Sequence, residues 1–170
     1  MDILIILLSI LQLFSISLGV GASTLAIVSF LVALADGNME PGERRMLGVI
    51  FKVLRVAMVA ILVTTLGLML LGMEVTSFVM AQLIVIAMLY VNAILMTKHI
   101  MPKTLGPAVQ AGTWYTLGTL TALVPLDLTN FGLVTFILIY IAILVLAIAI
   151  VNGLMGALKK KTPAPAQPAK

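Results

Sequence analysis

ILIILLSILQLFSISLGVGASTLAIVSFLVALA, residues 3–35, runs without one charged side chain and stops at Asp36-Gly37. A helix needs about 20 apolar residues to cross a bilayer, and this stretch is well beyond that. Four more apolar stretches follow, at 46–72, 77–97, 107–124 and 131–158. Each is bordered by Asp, Asn, Gly, Pro or Lys, the residues at which helices end. None alternates with period two, which argues against a β-barrel. The reading is an all-α polytopic membrane protein. It has a bundle of five transmembrane helices over residues 1–158. A cytoplasmic tail over 159–170 is basic at Lys159-Lys160-Lys161 and then rich in Pro and Ala.

The composition agrees with lipid as the solvent. The chain is 62% hydrophobic and 9% charged, where soluble domains carry about 25% charged residues. Mean hydropathy is +1.26. There are no cysteines, which excludes a disulfide framework, thiol catalysis and a thiolate metal site. The chain starts Met-Asp with no basic segment before its apolar run, so the expectation is a retained first helix, not a cleaved signal.

All ten Lys and Arg residues fall on one side of the five-span reading. Loop 36–45 and the helix after it carry Arg44, Arg45, Lys52 and Arg55, loop 98–106 carries Lys98 and Lys103, and Lys159, Lys160, Lys161 and Lys170 end the chain. The opposite side holds Asp2, Glu74 and Asp127. The positive-inside rule then places the N-terminus outside and the C-terminus in the cytoplasm. The three tail lysines also favour anionic lipid.

Helix lengths are unequal. As one straight helix, 3–35 would measure about 50 Å, against about 30 Å of hydrocarbon. Its outer end, near residues 3–13, is expected to stand clear of the lipid as bare hydrophobe that packs on another protein, unless tilt or a kink at Gly19 and Gly21 absorbs the excess. Packing faces are legible as small residues at spacing four: Ser15, Gly19 and Ser23 in the first helix, and Ala108, Gly112 and Thr116 in the fourth. Such stripes let helix backbones approach where no hydrophobic force joins them. They serve internal packing or a foreign subunit.

The loop DGNMEPGERR, residues 36–45, places Asp36, Asn38 and Glu40 at the first ligand spacings of a calcium-binding EF-hand loop. Pro41 stands where that loop requires Gly. The structural explanation accounts for the same residues: Gly37 caps the first helix, Pro41 opens the second, and Glu40 and Glu43 complement its positive end.

Candidate ligand-binding residues are cationic and amide-bearing. Arg44, Lys52 and Arg55 share a helical face. Either they snorkel to lipid phosphate, or they point into the bundle. In the second case Lys52 and Arg55 join Asn92, Gln110 and Asn152, with Ser29, Tyr90, Trp114 and Tyr115 nearby. That set would line a cytoplasm-facing cavity for an anionic ligand or lipid headgroup. No Asp or Glu lies inside an apolar stretch, which disfavours ion-coupled transport. Five unequal spans do not divide into inverted repeats. His99 is the only histidine. Bis-His haem within one chain is therefore impossible, and no cofactor is expected. A single-ligand haem or pigment on His99 competes with a solvated interfacial histidine. No nucleophile–base constellation supports an enzyme.

The segment Leu18-Gly19-Val20-Gly21-Ala22-Ser23-Thr24, with Asp36-Gly37, Glu43 and Asn92, resembles small bacterial integral membrane proteins of unknown function. The likeness covers mainly the first hundred residues. It implies a bacterial inner-membrane location and no particular activity. Relatives of that kind often carry a histidine early in the first helix, where this chain reads Ile10-Leu11-Gln12-Leu13.

By elimination the expected role is a non-catalytic accessory or assembly subunit. It would pack against a larger membrane complex, with anionic lipids, other integral subunits or copies of itself as partners, and no nucleic acid. The alternative is a small oligomeric carrier or channel for an anionic amphiphile or small anion, built on Lys52 and Arg55.

Overall fold

The computed structural model describes residues 2–35, 40–98, 100–101 and 105–161. Five helices account for nearly all of them: α1 Asp2–Ala35, α2 Pro41–Leu70, α3 Ser77–Thr97, α4 Leu105–Leu123 and α5 Leu133–Lys161. A single 3-10 turn, Val124–Leu126, follows α4. Residues 36–39, His99, 102–104 and the tail 162–170 lie outside the described residues. With them go the readings made for Asp36, Gly37, Asn38 and His99.

Local chemistry sets the helix ends. The Glu43 carboxylate accepts the backbone N–H of Glu40 at 3.0 Å, and Pro41 opens α2 where no intrahelical N–H is needed. α2 therefore starts five residues before its apolar run and carries Arg44 and Arg45 as helix. At its far end Gly72, with φ +96°, turns the chain toward α3. Thr76 caps α3, its hydroxyl accepting the Val79 N–H at 3.3 Å. Asp127 leaves the 3-10 turn in the left-handed region, at φ 56°, a conformation Asp tolerates better than most residues. α5 continues to Lys161, three residues past the expected boundary at 158.

Four of the helices, α1, α2, α3 and α5, are long and apolar enough to cross a membrane. α4 differs for a physical reason. Its 19 residues rise about 28 Å, but Gln110, Thr113, Thr116, Thr119 and Thr121 lower its hydropathy. It can carry them because it lies inside the bundle. Gly106, Ala108, Gln110 through Trp114, Thr116, Leu117 and Leu120 are all buried, with α1, α3 and α5 packed around it. Thr113 and Thr116 also donate to the carbonyls of Val109 and Gly112 at 2.8 Å, which satisfies their hydroxyls within the helix.

α1 and α4 meet closely at two glycines. Trp114 is completely buried. A Cβ at Gly19 would fall 2.2 Å from its ring. One turn on, a Cβ at Gly118 would meet Val20 at 3.1 Å. On the other side of α4, Gly112 faces Leu144 and Ala147 of α5. Ser15, Ser23, Ala108 and Thr116 are buried as well. The two small-residue stripes thus face sister helices.

α1 and α2 run antiparallel for almost their whole length. The Gln12 amide donates to Thr65 Oγ1 at 2.9 Å, and Gly67 faces Leu8. The N-terminal end of α1 is therefore covered on one side by the last turns of α2, where the sequence suggested bare hydrophobe. Its other sides remain open, with Ile3 75% and Phe14 68% exposed. A hydrogen-bonded core ties the rest together. Thr113 Oγ1 receives the Asn92 side-chain amide at 3.1 Å. Thr113 gives its own proton to Val109, so the Tyr140 hydroxyl, 3.1 Å away, is the donor in their contact. One threonine thereby links α3, α4 and α5.

Replacing Gly19 by Ala should cost about 1–3 kcal/mol, the usual range for overpacking. Thermal unfolding of the detergent-solubilised protein will measure it. In a Trp114→Leu background the same substitution should cost measurably less. Equal penalties in the two backgrounds would mean that Gly19 and Trp114 are not in contact.

Candidate functional site: a cationic cleft between α2 and α3

The cationic residues of α2 lie on the outside of the bundle. Arg44, Arg45, Lys52 and Arg55 are all exposed. Phe51 and Leu54 stand level with Met96 and Thr97, the end of α3, since all four line one cavity. Residues 41–50 of α2 therefore project about 15 Å beyond α3. Arg44 and Arg45 belong to that projection. Lys52 and Arg55 sit at the level where α3 ends. The stripe does not point into the bundle core.

α2 and α3 touch sparsely, and the gap at this end forms a cleft of about 220 Å³. Phe51, Leu54, Arg55 and Met58 of α2 form one wall, and Ala93, Met96 and Thr97 of α3 the other. Gln110 of α4 closes the back. Helical periodicity builds the walls: positions 51, 54, 55 and 58 share one face of α2, and 93, 96 and 97 one face of α3. Tyr90 pins the helices one turn deeper, its hydroxyl donating to the Met58 carbonyl at 2.9 Å.

Electrostatically the cleft has one cation and one orphaned amide. Among the described residues Arg55 has no ion-pair partner. Gln110 is 7% exposed, and its Oε1 is buried without a hydrogen-bond partner. Trp114 Nε1, one turn further along α4, is the other buried atom in that condition. A buried polar group left unpaired costs about 1–3 kcal/mol, so native interiors rarely keep one without a reason.

The structure brings together two of the five predicted ligand residues, Arg55 and Gln110. Lys52 is exposed on the same helix but does not line the cleft. Asn92 is committed to Thr113 in the core. Asn152 is exposed on α5. Sequence reasoning missed Phe51, Met58, Met96 and Thr97. Their spacing marks them as helix faces, but nothing in the sequence says which faces meet. A second, larger cavity of about 680 Å³ lies at the opposite end, between the start of α1, the α2–α3 turn and the end of α4. No cluster of three or more His, Asp or Glu side chains that could hold a metal occurs among the described residues.

Compared with known proteins, the chain matches no family model, no curated protein and no solved structure. The functional reading therefore rests on its own residues.

Proposed function

We propose that this chain is a five-span integral protein of a bacterial-type inner membrane, acting as a non-catalytic accessory or assembly subunit. Its N-terminus lies outside and its C-terminus in the cytoplasm. α1 and α5 pack against the helices of a larger membrane complex.

The observation that carries the reading is the length and exposure of α1. Its 34 residues measure about 51 Å at 1.5 Å each. A tilt of 40°, the upper end of what transmembrane helices show, still leaves about 39 Å along the membrane normal. The hydrocarbon layer is about 30 Å thick. Part of a helix with no charged side chain after Asp2 thus lies beyond hydrocarbon, and α2 covers only one side of it. Protein covers such a surface better than water does. α5 adds a second apolar face, with Val134 73% exposed and Leu138, Val145 and Leu146 also open. The packing of α4 among α1, α3 and α5 supports reading it as a fifth span. The orientation follows from the basic end of α2 and the three lysines that close α5.

Two outcomes are expected. Extracted gently from its native membrane, the chain should appear by native mass spectrometry in fixed ratio with at least one other integral membrane protein. Leu7→Gln combined with Phe14→Gln should abolish that association while the helical circular dichroism persists. Recovery of the unaltered chain only as a monomer or homo-oligomer would contradict the subunit reading. Orientation is testable because the native chain has no cysteine. A single cysteine at Thr129 should react with an impermeant maleimide in intact cells, and one at Lys98 only after permeabilisation. The reverse pattern would invert the topology.

A further inference from the structure

We propose that the cleft between α2 and α3 is a specific site for the headgroup of an anionic, hydroxyl-bearing phospholipid of the phosphatidylglycerol kind. The inference concerns the cleft alone and holds whether or not the protein joins a larger complex.

Four observations converge. First, Arg55 stands at the cleft without an acidic partner among the described residues, and a guanidinium binds phosphate oxygens bidentately. Second, Gln110 closes the back of the same cleft, deeply buried, with an unpaired terminal oxygen. Oxygen and nitrogen of that amide exchange places by a half-turn. It can therefore accept from a headgroup hydroxyl or donate to a phosphate oxygen. Third, the remaining lining is apolar apart from Thr97, whose hydroxyl is already given to the Ala93 carbonyl at 2.8 Å. Phe51, Leu54, Met58, Ala93 and Met96 suit the first carbons of acyl chains. Fourth, the volume of about 220 Å³ is below the roughly 300–1,000 Å³ of pockets that enclose a whole small molecule. A headgroup fits inside with its chains left outside, along α2 and α3.

The level of the site agrees. The cleft sits where α3 ends at Thr97, next to Lys98 and Lys52, the plane at which basic side chains meet lipid phosphate. Charge alone would make this an unselective basic patch. The amide at the back distinguishes it, because a choline headgroup offers that amide no proton and cancels the phosphate charge.

The test is native mass spectrometry of the full chain, delipidated in detergent and offered an equal mixture of phosphatidylglycerol and phosphatidylcholine with matched acyl chains. The expected result is at least about a tenfold preference for phosphatidylglycerol, the discrimination one charge-assisted hydrogen bond provides. Arg55→Gln and the near-isosteric Gln110→Glu should each remove the preference. Arg45→Gln, on the projecting part of α2, should leave it intact. Gln110→Leu removes the unpaired oxygen, so it should melt no lower than the parent and still lose the preference. This separates loss of the site from loss of the fold. Equal uptake of the two lipids, or an undiminished preference in Arg55→Gln, overturns the proposal. Inorganic phosphate offered alone should not bind. If it binds and displaces phosphatidylglycerol, the ligand is a soluble anion and the lipid assignment is wrong.

Discussion

An indole ring fills the space that a side chain at residue 19 would occupy. In lipid the hydrophobic effect does not hold helices together, because the solvent is as apolar as the side chains. Close approach of backbones and a few interhelical hydrogen bonds must do so. Gly19 admits the ring of Trp114, which seats α4 against α1. Gly112 and Gly118 then bring α4 close to α5 and to Val20. Once α4 is enclosed, Thr113, Thr116 and Gln110 no longer face lipid, and the Asn92–Thr113–Tyr140 network forms across three helices. Interhelical hydrogen bonds of this kind average about 0.6 kcal/mol in a membrane protein. Their larger role is to fix which faces meet.

The same enclosure explains the shape of the end where α2 and α3 part. α4 stands behind α2 and α3 rather than between them, so those two helices are left loosely joined. The gap is lined by side chains chosen by helical period, with a cation at its mouth and an amide behind. Arg55 lines the cleft while exposed, as a long side chain does when its stem covers apolar surface and its charged head keeps to polar surroundings.

Much of this was legible in the chain. The apolar stretches located the helices to within a few residues. The exception was the start of α2, where Pro41 and the Glu40–Glu43 contact extend the helix into polar sequence. The small-residue stripes were visible because glycine and alanine at spacing four have a direct steric meaning. Less legible was the rank of the helices. The stretch 107–124 is short and less apolar than its neighbours, yet α4 is packed by three helices, since low hydropathy in such a helix marks protein surroundings. The candidate site was only half legible. Arg55 and Gln110 were singled out by charge and polarity, but so were Lys52, Asn92 and Asn152, which the structure places elsewhere. Residue type shows what a side chain can bind. Only tertiary contact shows that Asn92 is already bound and Gln110 is not.

Trp114 is the chain's one tryptophan, so its fluorescence reports on α4 alone. The decisive measurement is its emission in bilayers containing lipids brominated along the acyl chain, with acrylamide as the aqueous quencher. If α4 is the enclosed centre of the bundle, emission lies at the blue end of the tryptophan range and neither quencher reduces it appreciably. Strong quenching by the brominated lipids would place the indole in the bilayer and contradict the arrangement of helices around Gly19.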